Sequence, residues 1–315
     1  MIKQIRELMV HETAGDPISG LKWTHKTTEK IAARLRSLGI VVSARTVAKL
    51  LKQMGFSLRV NHKKRSAGSP KQRDAQFAYI SELREHFAND TIPLISVDTK
   101  KKELVGQFKN PGTAWHRVPV LVNDHDFRSD ALGIAIPYGI YDLRANRGTV
   151  FVGTSHDTPE FAVDAVERWW REEGRQRYPN VSHLGILADG GGSNGSRCRW
   201  WKHGLQRKLC DGHGLNVTVA HYPPGASKWN PIEHRLFSEI SKNWAGRPLD
   251  SYESILKYLR TTTTSTGLRV RALLVRRTYR KGKKISDAQM NKLPIKKHDV
   301  HPQWNYSLSP AQNGK

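Results

Sequence analysis

Two short apolar runs each stop at an aspartate, and this constrains the fold of the 315-residue chain more than any other feature. The first, from Ile92 to Val97, ends at Asp98; the second, LGILAD, ends at Asp189. Apolar runs of this length without polar alternation read as buried strands. Between them lie two more strand-like stretches, ALGIAIPYGIYD and GTVFVGTS, and a helical segment, TPEFAVDAVERWWREEG, capped at Thr158. A crossover helix makes the strands it joins parallel neighbours, so Asp98 and Asp189 are expected at one sheet edge. The carboxyl ends of strands are also where open α/β sheets hold their ligands.

A third carboxylate comes from SKWNPIEHRLFSEI, where Asn230 suits an N-cap, Pro231 the first helical position, and Glu233 the third, as in a capping box. By itself Glu233 reads as a helix-start residue. Beside two aspartates at strand ends it completes the donor set of a magnesium site for phosphodiester chemistry. We expect two Mg2+ ions, with Mn2+ able to substitute. Asp98 would bridge them, Asp189 would serve one and Glu233 the other. Asp124, Asp126, Asp142 and Asp157 fall at predicted turns and are read as turn formers. GGGSNG after Asp189 lacks the spacing of a nucleotide-binding loop. It is expected to let the backbone turn sharply beside the metals, with Asn194 touching substrate or capping the next helix.

Charge supplies the partner. With 52 Lys and Arg against 28 Asp and Glu the formal charge is +24, which a polyanion such as DNA would neutralise. No apolar run reaches membrane-span length and the amino terminus lacks a signal-peptide core, so a cytoplasmic, nucleoid-associated protein without membrane contact is expected. Cys198 and Cys210, without a CxxC pair, are read as ordinary thiols.

Residues 1–68 are expected to form a helical DNA-binding region. TTEKIAARLRSLG and SARTVAKLLKQMG read as two short helices with Ile31, Leu35 and Leu38, then Val47, Leu50, Leu51 and Met54, inward. Their spacing suits a helix-turn-helix whose second helix offers Arg45, Lys49 and Lys52 to DNA, or a plain helical hairpin with a solvated basic face. Lys63, Lys64 and Arg65 follow in an acid-free linker. Next come a connecting helix over 69–90 and a catalytic α/β body over 91–265, whose order of strands and helices is that of an RNase H-like core, a mixed sheet flanked by helices. A basic arm over 266–315 is expected to fold back on the body and touch DNA phosphate. Within the body Lys100, Asn194, Lys228, His234 and Arg235 are placed against DNA.

Several linked stretches carry a family resemblance: WTHKTTEKIAARL, TVAKLLKQMGFSL, SVDTKKKELVG, ADGGGSNGSR, PPGASKWNPIEHRLFSEISKNWAGRPL, TTTTSTGLRV and a closing QWNY. Through them the chain resembles the DDE transposases of the Rhodopirellula-type, ISAzo-like insertion sequences, related to the mariner superfamily. The resemblance covers nearly everything from about Gly15. It implies a catalytic triad at Asp98, Asp189 and Glu233, cleavage at the element's inverted-repeat ends, and joining of the freed 3′-hydroxyl to target DNA. A homodimer or higher assembly on DNA is expected, because two ends must meet. The family carries a further amino-terminal segment, so a shortened copy is also implied. Two alternatives stay open: an RNase H-like nuclease without strand transfer, and a silent DNA-binding remnant.

Overall fold

The computed structural model describes residues 2–5, 14–15, 22–23, 27–56 and 70–311. The chain divides into two compact units, Met1–Arg65 and Ser66–Lys315.

The first unit pairs two helices, α1 (Thr28–Ser37) and α2 (Ala44–Gln53), with a two-residue ladder between β1 (Ala14–Gly15) and β2 (Lys22–Trp23). Both helices start where the sequence signals them: the Thr27 hydroxyl accepts from the Lys30 amide, and that of Ser43 from the Thr46 amide. Ile31, Leu35, Val47 and Leu50 are buried together with Ile5. Leu38 sits at the C-cap of α1 and is half exposed, because the helix ends before the stripe reaches it.

The second unit is built on a nine-stranded mixed sheet. Its strands are β3 (Leu94–Thr99), β4 (Glu103–Val105), β5 (Gly133–Asp142), β6 (Arg147–Gly153), β7 (His183–Ala188), β8 (Asn216–His221), β9 (Arg269–Val275), β10 (Ile295–Lys297) and β11 (Asn305–Leu308). The order across the sheet is β10-β11-β8-β7-β3-β5-β6-β9, with β4 paired to β5. At its centre β8-β7-β3-β5-β6 has β7 parallel to both β8 and β3, and β5 antiparallel to β3 and β6, the expected RNase H-like arrangement.

The stretch from residue 266 onward enters the sheet at both edges. β9 pairs parallel to β6, while β11 pairs antiparallel to β8 and carries β10 outside it. The alternation in RVRALLV is short, but burial is not weak: Val270, Ala272, Tyr306 and Leu308 are core residues.

Helices cover both faces. On one lie α4 (Pro159–Trp169) and α5 (Arg199–Leu205), burying Phe161, Trp169, Trp201 and Leu205 against Ile95, Val97, Tyr138 and Phe151. On the other lie α3 (Pro70–Asn89), α6 (Ser238–Asn243, entered through a π turn over Glu233–Phe237) and α7 (Tyr252–Arg260). Ile232, Leu236, Phe237 and Ile240 are all buried on the α6 side, at about 1.5–3 kcal/mol of apolar burial each.

Candidate active site

Asp98 and Asp189 meet as the topology requires. The parallel register Leu94↔Gly185 through Val97↔Ala188 carries the next residues, Asp98 and Asp189, side by side at the carboxyl ends of β3 and β7. They line one cleft of about 370 Å³ together with Thr99, Lys100, Lys101, Lys102, Asp157, Gly192 and Asn194.

Glu233 is not among the residues that line this cleft, but its charge acts on Asp98 and its helix is fastened to β3. The Ser96 hydroxyl donates to Asn230 Oδ1, and accepts from the Ile232 amide at 3.1 Å. Asn230 Nδ2 reaches the Val97 carbonyl at 3.5 Å, while the Asn230 carbonyl accepts from the Glu233 amide at 3.0 Å. The Asn230 side chain therefore does not cap its own helix, contrary to the sequence expectation. A strand hydroxyl two residues before Asp98 satisfies the orphan amide instead, and Asn230 crosses to the sheet. This exchange fixes the helix start to the strand that carries the first aspartate. The π turn that follows begins at Glu233 itself and widens the helix there, a feature frequent at functional sites.

Removing Asn230 should loosen this fastening. We predict that Asn230→Ala costs about 1–3 kcal/mol by leaving the Ser96 hydroxyl without its buried acceptor. Ser96→Ala should fall in the same range. The double variant should lose less than the sum, because both act in one network, a result readable by chemical denaturation.

The carboxylates repel one another. Burial, then the charges of Asp189, Glu233 and Asp157, push Asp98 up to about 8, against a backbone hydrogen bond from Thr99 (2.7 Å to Oδ1) that favours its charged form. Burial and Asp157 raise Asp189. Burial and Asp189 raise Glu233, opposed by Lys100 and His234. The sign for stability follows. The folded Asp98 holds its proton to higher pH than the unfolded one, so metal-free stability falls as pH rises from about 4 to about 8, on the order of a few kcal/mol. We predict a melting temperature that drops across this range in EDTA and recovers at about pH 8 when Mg2+ is added; an unchanged melting temperature with Mg2+ would remove the cation from the site.

The donor set fits a hard divalent cation. It offers carboxylate oxygens of uncompensated charge, and the buried Asn194 amide, whose Nδ2 and Oδ1 have no hydrogen-bond partner, lines the same cleft. Among the described residues no three acidic, histidine or cysteine side chains stand close enough together to hold a metal ion by themselves.

Asp157 is the residue the sequence reading set aside as a turn former. It precedes the Thr158 cap of α4, accepts from Thr99 Oγ1 at 3.3 Å and lies 3.7 Å from Lys102 Nζ, and it lines the cleft as a third carboxylate beside Asp98 and Asp189. Asp142 does stay at its turn, accepting from Ala145 N and Arg177, and Asp124 and Asp126 are exposed.

The residues expected to meet DNA divide by place. Lys100 is half-buried, 3.4 Å from Glu103 and 4.6 Å from the Trp244 ring, and burial lowers its pKa. Lys228 is exposed with its ammonium 4.1 Å from the ring of Trp229, which Arg73 also covers; His234 and Arg235 are exposed on the π turn. Trp229, 42% exposed between two cations, is a residue the sequence reading did not single out. Arg45, Lys49 and Lys52 are exposed on α2 in the first unit, whereas Lys63, Lys64 and Arg65 lie outside the described residues. Among the described residues no helix is long and apolar enough to cross a membrane. Cys198 and Cys210 are free thiols.

A comparison with curated proteins finds no match. Among solved structures the chain is similar to the Mos1 transposase paired-end complex with left transposon end, at 15% identity over 82% of this chain and 69% of that one, TM-score 0.44. It is similar to the Mos1 strand transfer complex at 15% identity, 82% and 69% coverage and TM-score 0.45. A Mos1 mariner paired-end complex with Mn matches at 14% identity, 82% and 70% coverage and TM-score 0.44. The family described as the Rhodopirellula transposase DDE domain matches residues 4–310, and with nearly its whole length inside that match the chain belongs to this family of DDE transposases.

Proposed function

We propose that this transposase cuts DNA at the ends of its element and joins the freed 3′-hydroxyl to target DNA, with Asp98, Asp189 and Glu233 as its catalytic carboxylates. The observation that carries the reading is the in-register meeting of Asp98 and Asp189 on adjacent parallel strands, with Glu233 fastened to the first strand through Ser96 and Asn230. Asp98 and Asp189 would hold the divalent cation, and Glu233 would close the set from the helix. When bound, such ions supply Lewis-acid stabilisation of the phosphate and an activated oxygen nucleophile.

The chain's own side chains set up the substrate. The Ser96–Asn230 link fixes the distance of Glu233 from the aspartates. Asn194 presents an unpartnered amide in the cleft for a phosphate or a water. Lys101 and Lys102 line the cleft from the β3–β4 turn and would offset phosphate charge, while His234 and Arg235 stand exposed on the π turn that begins at Glu233. Inverted-repeat recognition is assigned to the α1–α2 pair, read as a helix-turn-helix, and to the basic linker after it. The protein would work in the cytoplasm on the nucleoid, as a dimer or larger assembly holding two ends.

The test is cleavage and joining of end-containing duplexes in Mg2+. Glu233→Gln keeps the size and burial of the side chain but removes its charge, and is expected to reduce both reactions by about 10²-fold or more. Cleavage without joined product in the wild type would favour a nuclease. Binding without cleavage would favour a silent remnant.

A further inference from the structure

A second basic cleft, of about 490 Å³, opens where β6 and β9 begin, and is lined by Arg147, Arg177, Arg260, Arg269 and Arg271 with one acid, Glu173. The parallel register places Arg147 directly beside Arg269 and Thr149 beside Arg271. Like charges opposite one another on neighbouring strands destabilise a sheet unless something neutralises them. The local acids are already engaged. Glu173 accepts from Arg271 at 3.1 Å and Thr149 at 2.8 Å and lies 3.5 Å from Arg177; Glu172 pairs with Arg271 and Arg168; Asp142 pairs with Arg177 at 2.7 Å. Among the described residues no ion pair involves Arg147 or Arg269. Arg260 donates twice to the Ala272 carbonyl, at 3.1 and 2.9 Å, which holds its guanidinium still without neutralising it.

The frame around these arginines is preformed. They stand on strands or at a helix end. The Asn146 amide, from the β5–β6 turn, donates to the Thr266 carbonyl at 2.9 Å and ties that turn to the TTTTSTG loop leading into β9.

The cleft is also separate from the carboxylates. Arg147 and Thr149 alternate with Phe151 on the face covered by α4, while Asp98 shares its face with Ser96, beneath the Glu233 helix. Along the strands Arg147 pairs with Asp142, which stands opposite Ile95, three residues before Asp98, or about 10 Å.

We propose that this cleft binds phosphate oxygens of duplex DNA, on a segment other than the one at the catalytic carboxylates. Planar guanidinium forks suit phosphate oxygens better than any other side chain. Two adjacent unneutralised arginines span the width of neighbouring strands, so a backbone with repeated charges fits better than one isolated ion. The proposal rests on DNA being the substrate, but not on the assignment of the catalytic triad.

The test is arginine modification by phenylglyoxal on the full chain, read by mass spectrometry, with duplex DNA, with inorganic phosphate, or with neither. Protection of Arg147 and Arg269 by duplex DNA, beyond that given by phosphate alone, is the expected result. In parallel, Arg147→Gln with Arg269→Gln should lower the slope of log affinity against log salt by about two and weaken duplex binding about tenfold or more. Protection by inorganic phosphate alone would reassign the cleft to a small anion and overturn the proposal. If DNA shields Arg45 but neither Arg147 nor Arg269, the cleft proposal falls while DNA binding stands; if no arginine is shielded, both fall.

Discussion

Asp98→Ala should lower the rate of end cleavage by about 10³-fold or more while leaving DNA binding within a few-fold of wild type. The size follows from the several kcal/mol that a metal-held phosphate gains in the transition state, at 1.36 kcal/mol per tenfold in rate. Asp98 is the residue on which the other carboxylates converge: Asp189 stands beside it, and Glu233 and Asp157 both raise its pKa. A purely structural Asp98 would behave differently. Its truncation would cost stability, whereas here it removes a buried charge that three neighbours repel, so the variant should melt at or above the wild-type temperature at about pH 8 without metal. Activity lost without stability lost is the signature to look for, by cleavage assay and thermal melting on the same sample. Cleavage within tenfold of wild type would take Asp98 out of the site.

How much of this was legible in the sequence depends on how local the determining contacts are. β3 and β7 could be read because each carries a short, mostly apolar run that stops at an aspartate, and a crossover helix leaves only the parallel arrangement. Thr27, Ser43 and Thr158 could be read as caps because their partners lie three residues away. Asn230 looked the same locally but accepts from Ser96 across 134 positions, so its local signal pointed to the wrong donor. Asp157 hid for a related reason. Its turn is real, and only the approach of Thr99, 58 positions earlier, turns that corner into the cleft.

The basic carboxyl-terminal stretch was harder still. β9 alternates exposed arginines with buried Val270 and Ala272, so an arm folding back on the body could be read, but its place in the sheet could not until β6 is there to pair with it. β10 and β11 are three and four residues long, and β11 is fixed by β8, 84 or more positions away. Short edge strands carry too little pattern of their own to be found without their partners.

Gly139→Val should disable the site without touching any carboxylate. Gly139 pairs with Asp98 across β3 and β5 and faces the Glu233 helix. A Cβ there would stand 2.5 Å from Phe237 Cε1 and 2.9 Å from Ile232 Cδ1, four residues after and one before Glu233 respectively. Both side chains are buried, Ile232 fully, so neither can swing into solvent and the helix must lift from the sheet. Overpacking of this kind costs about 1–3 kcal/mol, a fall of about 2–12 °C in melting temperature for a unit of this size. The larger effect is on chemistry. A displacement of about 1 Å in a positioned catalytic group costs about 10²-fold in rate, so cleavage well below the melting temperature should drop by about that factor while duplex binding is kept. Adding Phe237→Ala removes the nearest obstruction and should return part of the lost rate, which a general unfolding defect would not allow. Full activity in Gly139→Val would mean that the close approach of this helix to β5 does not set the position of Glu233.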